Sequence, residues 1–344
     1  MRITTSMMSS RYIRNLNKSA NEMNYLNERV GTGRKFFKGS EDPISAIKAY
    51  KLRREYRKTE TYDSNIKDVN SFLTSAETNM MEIGESLKST YELYLRGITG
   101  TMGAEEREAI AKELENLQSS ILTSLNAKFE DRYVFGGTSK DVLPFTLHDV
   151  TLPDGTIGKQ LFYKGVNVNT GLDKDGLPVG ADILEKLANE KAYVDLGLGM
   201  TFNGDDLNED TAFNMSMSGI SFMGYGETDG ISDNIYTLIG NIKDELRRSD
   251  FSTDDISPYL ARFEKQKNNV LVAVTDIGAK TNYLDFLEFR NEDNQLNLNA
   301  KLYEVEKVDP AEAIVDFKMQ EYAYNAALAM GNKILQNSFI DFMK

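Results

Sequence analysis

The chain has 344 residues, a formal net charge of −13, 40% hydrophobic and 27% charged residues, no cysteine, no tryptophan and a single histidine, His148. That balance fits a folded chain rather than a disordered one, and it excludes disulfides, thiolate chemistry and histidine-cluster metal sites. No apolar run approaches the ~18 residues of a membrane span.

The opening segment, MRITTSMMSSRYIRNL, lacks the apolar stretch of about 7–15 residues that marks a secretory signal, so export without a cleavable signal peptide is expected. Ile13, Leu16, Ala20, Met23, Leu26 and Val30 fall three or four residues apart, which predicts an amphipathic helix. Residues 1–40 carry 8 Lys+Arg against 2 Glu. These basic residues interleave with the apolar stripe and bring no regularly spaced aromatics, so they read as a solvated helix face rather than a nucleic-acid arm.

Proline occurs only at 43, 144, 153, 178, 258 and 310, leaving long stretches free of the residue that breaks helices. Ile66, Val69, Leu73, Ala76, Met80, Ile83, Leu87, Tyr91 and Tyr94 recur at alternating spacings of about 3 and 4, a coiled-coil seam. The helix they predict, over 62–96, would be about 52 Å long. Gly97, Gly100 and Gly103 interrupt it. A second helix is expected over about 104–130, with Ile110, Leu114, Leu117, Ile121, Leu125 and Phe129 on one face. The stretch DRYVFGGT (131–138) then reads as a short apolar strand and a sharp turn at Gly136-Gly137, a hinge bordering the next segment.

Residues 140–235 change character. Three prolines, frequent Asp-Gly pairs and short alternating runs (160–163, 166–169) predict a β-rich insertion, with Asp154-Gly155 as a hairpin turn. A short helix is expected near 181–191. Residues 141–240 hold 16 Asp+Glu against 5 Lys, an acidity suited to an exposed surface. His148 reads as a surface or edge-strand residue, not a general base. The acidic runs 172–176 and 203–210 lack the ligand register of a calcium loop. Neither Gly197–Gly199 nor Gly224–Gly226 continues to a third glycine opening a helix. No catalytic, cofactor-binding or metal-ligating residue is therefore expected, and neither nucleic acid nor membrane as a partner.

The carboxyl-terminal half returns to helix. Phe263, Val270, Val274, Ile277, Leu284, Leu298, Leu302 and Val305 keep one register, which also contains the polar Thr281, Glu288, Asn291 and Gln295. Asp309-Pro310 reads as an N-cap followed by proline at the first helical position. Ile314, Phe317, Tyr324, Leu328, Leu335, Phe339 and Phe342 form a last stripe. The two terminal stripes are expected to pair as an intramolecular coiled coil and to serve in assembly. The fold class is mainly α with a β-rich insertion. Three parts follow: terminal helices 1–42 with 301–344, a helical domain 43–139 with 236–300, and an inserted surface domain 140–235.

The segment ERVGTGRKFFKGSEDPISA (28–46) resembles the amino-terminal motif of the flagellin superfamily. Val30, Thr32, Gly33, Arg34, Glu41, Asp42 and Pro43 occupy the motif's places, with Glu41 a mild departure. Pro43 after Asp42, the border stretch around Phe135, Gly136 and Gly137, and the acidic-aromatic ending (309–343) are similar to the hook-associated branch of that family. The resemblance covers roughly the first 140 and last 100 residues. It implies a flagellin-like rod of long helices formed by both chain halves, with an inserted outer domain. It also implies a non-enzymatic subunit of the hook–filament junction, reached by type III export and located outside the cell. The partners implied are hook-associated protein 1 (FlgK), flagellin, further copies in a ring and a flagellar export chaperone. A filament flagellin is the near alternative, and a secreted helical effector the distant one.

Overall fold

Two Asp-Pro pairs set the starts of two long helices in the computed structural model, which describes residues 5–98, 103–151, 157–180, 182–204, 206–249 and 252–340. Helix α1 (Thr5–Thr32) stops at Gly33, whose φ of 64° is the left-handed conformation that closes a helix. Its N–H donates to the Arg29 carbonyl at 2.8 Å. Helix α2 (Pro43–Gly97) starts on Asp42, whose carboxylate accepts from the Ser45 N–H at 3.0 Å. Proline at the next position gives up only a hydrogen bond that the first turn cannot make.

Helix α3 (Ala104–Leu125) follows. It ends earlier than its apolar spacing suggests because the Asn126 amide is engaged elsewhere. That side chain accepts from the Phe145 N–H at 3.0 Å and donates to the Phe145 carbonyl at 2.9 Å. Residues 128–133 then form a tight hairpin, β1 (Lys128–Phe129) with β2 (Arg132–Tyr133). Strands β3 (Phe145–Thr151), β4 (Ile157–Tyr163) and β5 (Val166–Asn167) make one antiparallel sheet. The Asp154-Gly155 turn expected between β3 and β4 lies outside the described residues. The expected short helix is α4 (Ile183–Ala188).

The remaining strands are two-residue pairs: β6 (Tyr193–Val194) with β9 (Phe213–Asn214), β7 (Phe202–Asn203) with β8 (Asp206–Leu207), and β10 (Glu227–Thr228) with β11 (Ile231–Ser232). Helices α5 (Gly219–Met223), α6 (Ile235–Arg247), α7 (Thr253–Glu306) and α8 (Pro310–Ile340) complete the chain. The fold is thus mainly α with a strand-rich insertion.

The chain divides into two compact units, Met1–Thr61 with Glu292–Lys344, and Tyr62–Asn291. In the second unit the seam of α2 is buried as its spacing dictates: Ile66, Leu73, Ala76, Met80, Ile83 and Leu87 are all fully buried. Phe263, Val270, Ile277 and Leu284 of α7 face the same core. Cross-links descend one helix as they climb the other, from Asn70–Asp285 at 3.0 Å to Tyr91–Glu264 at 2.5 Å, so the two run antiparallel. Glu288, a polar seam position, is met by Lys67 at 3.6 Å. The strand-rich segment contributes to the core of the helices. Its Phe145, Leu161, Tyr163, Phe213 and Ile220 belong to one apolar cluster with α2, α3, α6 and α7.

Candidate assembly surface

The first unit is built on the α1–α8 pair. Tyr12 Oη donates to the Ala327 carbonyl at 3.0 Å, and the Gln320 amide donates to the Ser19 carbonyl and hydroxyl at 3.1 and 3.0 Å. Arg29 lies 4.0 Å from Asp316. Partners rise along α1 as they fall along α8, so the pair is antiparallel. Its closed end is a bridge between Arg34 and Lys307, with Lys35 N–H donating to the Glu306 carbonyl at 2.7 Å and Val308 N–H to the Gly33 carbonyl at 3.1 Å. Asp309 caps α8, its carboxylate accepting from the Ala311 N–H at 2.8 Å.

The motif loop 33–42 is held by Glu41. Its carboxylate accepts from the Phe37 N–H at 2.9 Å and the Tyr25 hydroxyl at 3.1 Å, and the Phe37 bond leads the interactions holding its pKa below the usual range. Tyr25 meets Phe37 edge to face at 5.7 Å. Ser45 contacts likewise lower the Asp42 carboxyl.

The seam between α1 and α8 departs from the expected one. Leu16, Ala20, Met23, Leu26 and Val30 are half-buried, as are Phe317 and Tyr324. Ile13, Ile314 and Leu328 are exposed instead. The inner row of α8 carries Ala313, Gln320, Ala327 and Gly331, spaced seven, seven and four residues apart and half-buried or buried. Residues 310–331 are apolar nearly all round, so spacing alone could not choose the face. Small side chains chose it, because they let α1 come close. Tyr12 sits directly on Gly331, where an added Cβ would overlap the phenol oxygen. Phe342 and the side chains of Leu335 and Phe339 lie outside the described residues.

This pairing leaves many large apolar side chains of the unit uncovered. Among the described residues only Ala49, Val308 and Ala313 are buried apolar side chains here, against forty in the other unit. Fourteen large apolar side chains are exposed, including Ile44, Met319, Met330 and Tyr322, the last 77% exposed. Exposed apolar surface on this scale marks an interaction site.

The Gly136-Gly137 turn is not the free hinge its sequence suggests. Phe135 is fully buried, and its carbonyl accepts from Tyr163 Oη and from Gly219 N–H, both at 3.0 Å. Gly137, at φ 61°, donates to the Met217 carbonyl at 2.9 Å. Glu190 closes the turn by accepting from Thr138 N–H and Oγ1, both at 2.9 Å, and from Lys164 at 2.6 Å. Burial pushes the Glu190 carboxyl up, but these three donors outweigh it and hold its pKa low.

His148 is exposed on β3, edge-on to Phe162 at 5.0 Å. A cavity of about 540 Å³ beside Phe72 and Phe129 holds Arg132, whose guanidinium lies 4.9 Å over the Phe72 ring. Among the described residues, no group of three His, Cys, Asp or Glu could hold a metal ion, and no helix is long and apolar enough to cross a membrane.

Comparison with known proteins agrees with this architecture. Residues 3–140 match the bacterial flagellin N-terminal helical region. The flagellar hook-associated protein 3 of Escherichia coli K12 is 20% identical over 338 residues, 95% of each chain. Flagellin A of Vibrio anguillarum is 28% identical over 222 residues, but only 56% of that protein is covered. A solved structure assigned as a flagellar hook-associated protein from Vibrio parahaemolyticus superposes with a TM-score of 0.58 at 22% identity, over 78% of this chain and 100% of that one. The chain is thus similar to the flagellin superfamily in its amino-terminal helical region and to hook-associated protein 3 along nearly its whole length.

Proposed function

We propose that the chain is a structural subunit of the hook–filament junction, seated between a layer of hook-associated protein 1 and the flagellin filament. Its work is assembly rather than catalysis. One observation carries the reading: among the described residues, the unit formed by the two chain ends buries three apolar side chains and exposes fourteen large ones. Such a unit is completed by neighbours, as in coupled folding and binding. Further copies, hook-associated protein 1 and flagellin are the neighbours proposed, and a flagellar export chaperone would cover the same surface beforehand. The chain would act outside the cell, exported without a cleavable signal. The strand-rich residues 140–235 would form the outward part.

Coverage of one relative favours the junction over the filament, because the Escherichia coli hook-associated protein 3 matches nearly end to end while the Vibrio anguillarum flagellin matches in part. Immunogold labelling of isolated flagella is the test. A single band at the hook–filament boundary is expected. Label along the filament would replace this reading with that of a filament subunit, and absence of label would reject both.

A further inference from the structure

Two exposed helix faces in the first unit are opposite in charge and alike in apolar content. On α2, Ile44, Ile47, Lys48, Lys51, Arg54 and Lys58 fall at helical spacing and are all exposed, with Tyr50 exposed at their flank. Glu55 is the one acid on this face, and it lies 3.5 Å from Arg54. On α7, Glu292, Asp293, Leu296, Ala300, Tyr303 and Glu304 share an exposed face, from which Lys301 is turned roughly a quarter-turn away at ~100° per residue. Leu296 and Tyr303 are more than 60% exposed. Among the described residues, none of Lys48, Lys51, Lys58, Glu292, Asp293 or Glu304 enters an ion pair, whereas neighbouring Arg53 binds Glu306 at 2.6 Å.

Each face therefore offers apolar anchors among charges mostly of one sign, the Arg54–Glu55 pair on α2 excepted. Packed on another copy of itself, either face would set like charges together, which is costly. Packed on each other, the apolar anchors are buried while the charges match. Two different patches joining head to tail generate a ring or an open helix.

We propose that the basic face of α2 (residues 44–58) in one copy docks on the acidic face of α7 (292–304) in the next copy. The occupant of each face is thus a second copy of this chain. This rests on the assembly reading above and names the surfaces that execute it.

The test uses charge reversal in cells lacking the native chain. One variant reverses the α2 face (Lys48→Glu, Lys51→Glu, Arg54→Glu, Lys58→Glu). The other reverses the α7 face (Glu292→Lys, Asp293→Lys, Glu304→Lys). Each alone places like charges on both faces and should be lost from isolated flagella by immunogold, while still reaching the medium. Expressed together and alternating, the two variants set reversed α2 on reversed α7 and native α2 on native α7, so incorporation should return. Normal incorporation of either variant alone, or no recovery on co-expression, would overturn the pairing. Label from the unaltered chain, restored to the same cells in place of the variants, tests the junction reading separately.

Circular dichroism of the purified variants checks that they fold. Should either misfold, Tyr50→Cys and Tyr303→Cys replace them. In a chain with no cysteine, oxidation of flagella containing both should give covalent dimers that neither forms alone. Absence of those dimers would equally overturn the pairing.

Discussion

Tyr12 and Gly331 show how much a single contact decides in a unit with so little core. Glycine inside a helix costs about 1 kcal/mol relative to alanine, so Gly331→Ala should stiffen an isolated α8. In the folded unit its Cβ would collide with the Tyr12 phenol. Gly331→Ala is therefore expected to lower flagellar incorporation, and Tyr12→Phe, which removes only the hydrogen bond to Ala327, should cost no more than about 0.5–1.5 kcal/mol. Co-sedimentation with isolated flagella would compare the two. At the other border, the low pKa of Glu190 makes its contribution to stability full above the unfolded carboxylate range, about 4.3. That contribution is lost as pH falls through the lower folded value. Acid titration followed by near-ultraviolet circular dichroism should show this loss, and Glu190→Gln should diminish the pH-dependent part.

At the scale of the helices, burial separates two kinds of seam. Leu73 and Leu87 are fully buried, so either leucine-to-alanine change should destabilise the second unit by about 2–5 kcal/mol, measured as a fall in chemical-denaturation midpoint. Leu328 is exposed; Leu328→Asp should leave that midpoint unchanged and still reduce incorporation. The seam from Ile66 to Tyr94 was legible because polar residues fill the other faces of α2 and leave a single reading. Residues 43–61 were not assigned to that helix, because their dense lysines and arginines mask any apolar stripe, although Asp42-Pro43 carries the same capping signal as Asp309-Pro310. The inner face of α8 was hidden for the opposite reason: with apolar residues nearly all round, small side chains and not spacing chose the contact.

Across the whole molecule, composition marked the strand-rich segment but could not show what it packs against. Acidity and Asp-Gly turns describe its outer side, whereas Phe145, Tyr163 and Phe213 join the helical core. Replacing 140–235 by a short linker should therefore destabilise the second unit, seen as lowered helical circular dichroism or early melting. Among the described residues one unit has a continuous core and the other almost none, a contrast that suits the proposed assembly role. Limited proteolysis of the purified soluble chain reads that contrast directly. Early cleavage within 1–61 and 292–344, leaving a resistant 62–291 fragment, is expected, with the ends becoming resistant in intact flagella. Ends as resistant in the free chain as the 62–291 region would contradict the claim that neighbours complete the terminal unit.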